Sequence, residues 1–87
     1  MCDYFVYVLI NDAGITYTGI AKDVEVRLDS HNRGTGALFT RGRGPWRVLH
    51  REGPMPHGDA LRREAVIKKD RVFKSALKAA APPTSSP

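Results

Sequence analysis

At 87 residues the chain has room for one domain, and a domain of that size buries about 60–65% of the surface its unfolded form exposes, which leaves no internal cavity for a large cofactor. Hydrophobic residues at 41% and charged residues at 26% suit a folded soluble protein; no apolar run approaches the ~20 residues that span a bilayer, and no secretory-type leader is visible. The sole cysteine, Cys2, excludes an internal disulfide or a zinc cluster, so a cytoplasmic location is expected, and the net charge of +5 favours a polyanionic partner.

Tyr4 to Ile10 is a run of aromatic and β-branched residues, followed by Asn11-Asp12-Ala13-Gly14 and by the strand-forming Ile15-Thr16-Tyr17-Thr18, which predicts a β-hairpin. An even loop at Asp12-Ala13 would pair Tyr7 with Thr18; an odd loop closing near Gly14 would set Tyr7 beside Tyr17. Gly14 tolerates the left-handed backbone that odd, bulged loops use, so the odd loop is expected, with both rings on one face.

After Gly19 the apolar period changes. Val24, Leu28 and the stem of Arg27 recur at helical spacing behind Asp23 and Glu25, predicting a helix from about Asp23 to Asn32. Arg27 and His31, four apart, share one face of it. Two phenols on a strand pair therefore face a cation and a proton carrier on the next helix.

Residues 33–44 hold four glycines and three arginines, Arg33, Arg41 and Arg43, a composition suited to phosphate contact although no P-loop motif is present; the competing reading is a mobile connection. Pro45 to Arg51 alternates apolar and basic residues and predicts a third, edge strand in which Trp46 is packing rather than a stacking platform. Gly53 to Gly58 is expected to be a turn-rich loop with His57 at the surface. Asp59 is expected to cap a helix with Leu61, Ala65 and Lys68 along one side and Glu64 adjacent, where Glu64 alone reads as a solvated partner of Lys68. Asp70 ends that helix or caps another, Arg71 to about Ala80, with Val72, Phe73, Ala76 and Leu77 as its apolar stripe. Residues 1–80 thus form one domain, and 81–87 a disordered tail.

Charge is segregated along the chain. Residues 1–32 carry two basic and five acidic side chains, residues 33–87 twelve basic and four acidic. The second part is where a polyanion would be held.

Val6-Tyr7-Val8-Leu9, then Tyr17-Thr18-Gly19, an arginine and a histidine on the next helix, Arg41-Gly42-Arg43, and Ala60-Leu61-Arg62-Arg63-Glu64 before Ile67-Lys68-Lys69 together resemble the GIY-YIG nuclease superfamily, in its small single-domain bacterial branch. The resemblance covers roughly Tyr4 to Lys69. It implies an α/β domain with a small three-stranded, mainly antiparallel sheet flanked by helices. It implies a metal-dependent endonuclease acting on DNA in preference to RNA, in repair or processing, with Tyr7, Tyr17, Arg27, His31 and Glu64 catalytic. Glu64 would hold Mg²⁺, or Mn²⁺ in its place, and Arg33, Arg41, Arg43 and Lys68 would contact nucleic acid. Arg27 would neutralise the phosphate, and the resemblance leaves the base open among Tyr7, Tyr17 and His31. Ile20 stands where larger repair members carry a basic residue, and no asparagine follows Asn32. The alternatives are a nucleic-acid-binding module of the same fold with weak or no cleavage, and a protein-interaction module whose basic part meets an acidic partner.

Overall fold

The computed structural model describes residues 3–80. In chain order they form β1 (Tyr4–Asn11), β2 (Thr16–Ala21), α1 (Val24–Arg33), a 3₁₀ turn (Leu38–Thr40), β3 (Trp46–Met55), α2 (His57–Lys69) and α3 (Arg71–Ala80). The three strands make a wholly antiparallel sheet in the order β2-β1-β3. The expected α/β fold is the observed one, and β3 lies at an edge as its sequence predicts.

Because β1 is central, both of its faces are covered. Tyr7 and Leu9 on one face pack with Ala21, Val24 and Trp46, joined by Phe5, Tyr17, Leu28 and Val48. Val6 and Val8 on the other pack with Ala60 and Ile67, joined by Ile20, Leu49, Phe73 and Leu77. Alternation along one strand thus builds two thin cores, one under α1 and one under α2 and α3.

The hairpin loop is odd, as expected. Asn11 accepts on Oδ1 from the N–H groups of Ala13 (3.1 Å) and Ile15 (2.8 Å), and Gly14 takes the left-handed φ of 81° that closes the loop. The resulting register pairs Tyr7 with Gly19 and Leu9 with Tyr17. Both phenols lie on one face, as diagonal neighbours rather than side by side.

Helix α1 matches its expected span within a residue. Asp23 caps it by accepting from the Val26 N–H at 3.1 Å, and Gly34, at φ 79°, terminates it. The next segment is not a mobile connection. Asn32 clamps the start of β3, accepting from the Trp46 N–H at 2.6 Å and donating to the Trp46 carbonyl at 3.1 Å. Trp46, 3% exposed, is core as expected, and its indole N–H donates to the Thr40 carbonyl at 3.1 Å. Asn11 Nδ2 adds a bond to the Arg43 carbonyl at 2.8 Å.

Four expectations are corrected. Of the loop expected over Gly53 to Gly58, Gly53-Pro54-Met55 are instead the end of β3, where Met55 pairs with Tyr4, and His57 and Gly58 open α2, His57 being exposed as expected; an edge strand tolerates proline because one side of its backbone needs no ladder partner. Asp59 does not cap α2. It sits in the first turn, paired with Arg62, and the cap position is Pro56. The buried stripe of α2 is Ala60 and Ile67 with Glu64 partly buried between them, while Leu61, Ala65 and Lys68 face outward. On α3 only Phe73 and Leu77 reach the core, Val72 being 80% exposed. Asp70 does both jobs expected of it, ending α2 and capping α3 through the Phe73 N–H at 2.8 Å. The tail expectation lies outside the described residues. Among these no helix is long and apolar enough to cross a membrane.

Helix α2 is held against β3 by Glu52, whose carboxylate accepts from Arg63 Nε (2.7 Å), Arg63 NH2 (2.9 Å) and His50 Nε2 (2.8 Å). Arg63 first, then His50, hold the Glu52 carboxyl down at about 2 against its ordinary 4.5. A carboxyl with a lower pKa in the folded state adds stability that is full above about 4.5 and lost as pH falls toward 2. Acid titration of the thermal midpoint should therefore show a step over that range, worth ~1–2 kcal/mol after solvent screening, and Glu52→Gln should flatten it. An unchanged step in the variant would move the source elsewhere.

Candidate active site

The centre of the α1-facing core is polar. His31, 1% exposed, lies with Nε2 3.0 Å from the Tyr7 hydroxyl and Nδ1 2.8 Å from the Thr40 hydroxyl. The Tyr17 ring packs at 5.0 Å between centroids. Thr40 Oγ1 donates its single proton to the Ala37 carbonyl at 2.9 Å, so toward His31 it accepts. That inventory assigns the imidazole proton to Nδ1 and leaves Nε2 to accept from the Tyr7 O–H. Burial, then the positive Arg27, lower the His31 pKa below its ordinary 6.5, so the ring is neutral at pH 7. Burial raises the Tyr7 phenol above 10.0; the Arg27 cation opposes that rise, and Tyr17 and Glu64 add to it.

Two glycines make the arrangement possible. A Cβ at Gly19 would lie 2.6 Å from the Tyr7 hydroxyl oxygen, and one at Gly36 would lie 2.5 Å from His31 Nδ1. Gly19 belongs to the expected motif. Gly36 and Thr40 do not, and their role escapes the sequence because it depends on how the segment after α1 folds back over His31.

The structure brings Tyr7, Tyr17 and His31 into direct contact, with Arg27 near enough for its charge to act on Tyr7 and His31, and Glu64 near enough to act on Tyr7. Among the described residues no carboxylate lies within ion-pair distance of the half-buried Arg27 guanidinium. Glu64, with a side chain 19% exposed, meets Lys68 through Oε2 at 3.3 Å. The four residues expected to touch nucleic acid, Arg33, Arg41, Arg43 and Lys68, are all exposed. Arg33 pairs with Asp29 at 2.8 Å, Arg41 donates to the Gly34 carbonyl at 3.1 Å, and the Arg43 guanidinium sits 4.8 Å from the Phe39 ring centroid.

The donor set sets limits on a metal. Among the described residues no group of three or more histidine, cysteine or acidic side chains is arranged to hold a metal ion. One carboxylate, Glu64, fits a hard cation that keeps several waters and takes substrate phosphate oxygens; it does not fit a metal that needs a protein-built cage.

A three-stranded antiparallel sheet between helices, carrying a strand-borne tyrosine pair against a helix-borne histidine and arginine, defines the class. The model of the GIY-YIG catalytic domain matches residues 3–75, and the chain belongs to this family. A UPF0213 protein of Staphylococcus aureus is 43% identical over 68 residues, covering 78% of this chain and 83% of that protein. Two solution NMR structures are similar. A UPF0213 protein of Bacillus halodurans is 36% identical with a TM-score of 0.52, covering 87% of this chain and 82% of its own. A protein of E. faecalis is 34% identical with a TM-score of 0.57, covering 87% and 83%. Membership in this family points to nuclease chemistry.

The two close glycines give a direct check of the geometry. Gly19→Ala and Gly36→Ala should each displace the ring they abut, shifting the His31 ring resonances while the far core around Val8 and Ile67 keeps its spectrum. Unmoved His31 resonances in both variants would show that the rings are not packed against those backbones.

Proposed function

We propose that the chain is a divalent-metal-dependent endonuclease that hydrolyses phosphodiester bonds in DNA. The observation that carries this reading is the buried Tyr7–His31 hydrogen bond of 3.0 Å, with Arg27 and Glu64 near enough for their charges to act on the Tyr7 phenol. Phosphodiester cleavage needs a nucleophile relieved of its proton, an anion neutralised and a leaving oxygen stabilised.

Tyr7 lends its hydroxyl to the attacking water. As the water oxygen bonds to phosphorus, its proton passes to Tyr7 and the Tyr7 proton passes to His31 Nε2 along the existing hydrogen bond. The high phenol pKa makes a standing phenolate costly, so the imidazole, not Tyr7, is the proton acceptor. Thr40 holds the tautomer that leaves Nε2 free. Arg27 neutralises the charge gathering on the nonbridging oxygens, and Tyr17 packs against the imidazole and fixes its plane. The phosphorus–oxygen bond to the leaving strand then breaks, the leaving oxygen takes a proton from solvent, and His31 gives its extra proton back through Tyr7 to solvent, which restores the neutral ring. Glu64 would hold Mg²⁺ or Mn²⁺, which when bound supplies Lewis-acid polarisation of the phosphate. Arg41, Arg43, Arg33 and Lys68 draw in the backbone.

A second reading is favoured by one observation. Lys68 engages Glu64 Oε2, and Tyr7 is only 1% exposed, which suits a nucleic-acid-binding module that does not cleave. Cleavage of labelled single-stranded, duplex and branched DNA and of RNA separates the two. Product that requires Mg²⁺ or Mn²⁺, vanishes with EDTA and falls at least ~100-fold in Glu64→Ala and in Tyr7→Phe supports the nuclease. Salt-sensitive binding without product supports the module.

The pH profile has a definite sign. A protonated His31 cannot accept, and its pKa lies below 6.5, so the rate should hold through pH 6.5 and fall on acidification below it. A rate that instead rises on acidification would remove His31 as acceptor.

A further inference from the structure

The segment that covers His31 exposes what it does not bury. With Thr40 drawn inward to 1% exposure, its neighbours turn out: Leu38 is 78% exposed and Phe39 45%. The Phe39 ring lies nearly parallel to Tyr17, at 20° and 6.1 Å between centroids, and the Arg43 guanidinium stands over it at 4.8 Å. Tyr17 in turn packs on His31 at 5.0 Å. A continuous stack, His31, Tyr17, Phe39, Arg43, therefore leads from the buried imidazole to the surface. Its outer end is an exposed arginine, in the basic part of the chain that also holds Arg33 and Arg41.

We propose that the outer end of this stack, Phe39 with the Arg43 guanidinium, is a seat for one unpaired nucleobase adjoining the cleaved phosphate. This rests on the nuclease reading for the phosphate's position. At that end the Phe39 ring is covered by the exposed Arg43 side chain, and a single-stranded base that displaces the guanidinium stacks on the ring whatever its identity, leaving the freed cation to meet phosphate. Exposed Leu38 beside it extends the apolar floor, while Arg41 is placed to meet the flanking phosphate. A base inside a duplex has both faces already stacked, so the seat selects single strands, frayed ends or junctions over continuous duplex. Phe39 thus sets substrate preference, at a position outside the proton relay.

The test uses the full chain carrying Glu64→Gln, so that binding is read without cleavage. Its probes are single strands of about twelve nucleotides, in DNA and in RNA, each bearing one 2-aminopurine, and the matching DNA duplex. Phe39→Leu keeps an apolar cover over Tyr17 but has no aromatic face; Phe39→Trp keeps the face. The seat requires that Phe39→Leu weaken single-strand binding roughly tenfold and abolish the quenching of 2-aminopurine, that Phe39→Trp restore both, and that duplex affinity stay within about twofold. The strand type that shows the larger effect identifies the backbone recognised. If Phe39→Leu binds and quenches like its parent, the seat is wrong and the nuclease reading stands. If the parent binds no strand of any kind, the nuclease reading fails and the seat with it.

Discussion

The structure turns on one buried imidazole both of whose nitrogens are engaged. A histidine sealed in a small core must be neutral, and its two ring nitrogens then differ, one a donor and one an acceptor. Thr40 occupies the donor side and Tyr7 the acceptor side. Everything around it serves that arrangement. Gly19 and Gly36 leave space for the two rings, Trp46 and Ala37 hold Thr40, and Asn32 ties the end of α1 to the strand that carries Trp46. Core packing and site preorganisation are here the same set of contacts.

A second constraint comes through α2. The Glu52 carboxylate binds Arg63 and His50, and the Arg63 guanidinium and His50 ring both pack on Phe73, so β3, α2 and α3 meet at one charged and aromatic junction. Glu64 is the next residue along α2. Arg27 meets no carboxylate among the described residues. Its charge adds to burial in lowering the His31 pKa and opposes the rise that burial gives the Tyr7 phenol.

Much of this is written in local sequence. The odd hairpin loop follows from Asn11 and Gly14, the span of α1 from Asp23 and Gly34, and the meeting of Tyr7 and Tyr17 with the helix that carries Arg27 and His31 from alternation and helical spacing. Local signals failed where long-range contacts decide. The Gly53-Pro54 pair reads as a turn but is stabilised as strand by pairing with β1. Leu61 suggests one face of α2, yet the sheet selects Ala60 and Ile67, because the small Ala60 allows the helix to approach Val6 and Val8 closely. Thr40 lies nine residues from His31 in a stretch rich in glycine and arginine, where nothing local marks it as the orienting partner.

The central claim is that neutral His31 carries its proton on Nδ1 and accepts the Tyr7 proton on Nε2. Measuring the imidazole ¹⁵N shifts of His31 in the labelled protein across pH 5–8 tests it most directly, since the two nitrogens of a neutral ring separate widely and report the tautomer. A protonated Nδ1 and an unprotonated Nε2 are expected at pH 7, with titration below 6.5. A proton on Nε2, or a ring that is charged at pH 7, would contradict it and leave Tyr7 with no acceptor.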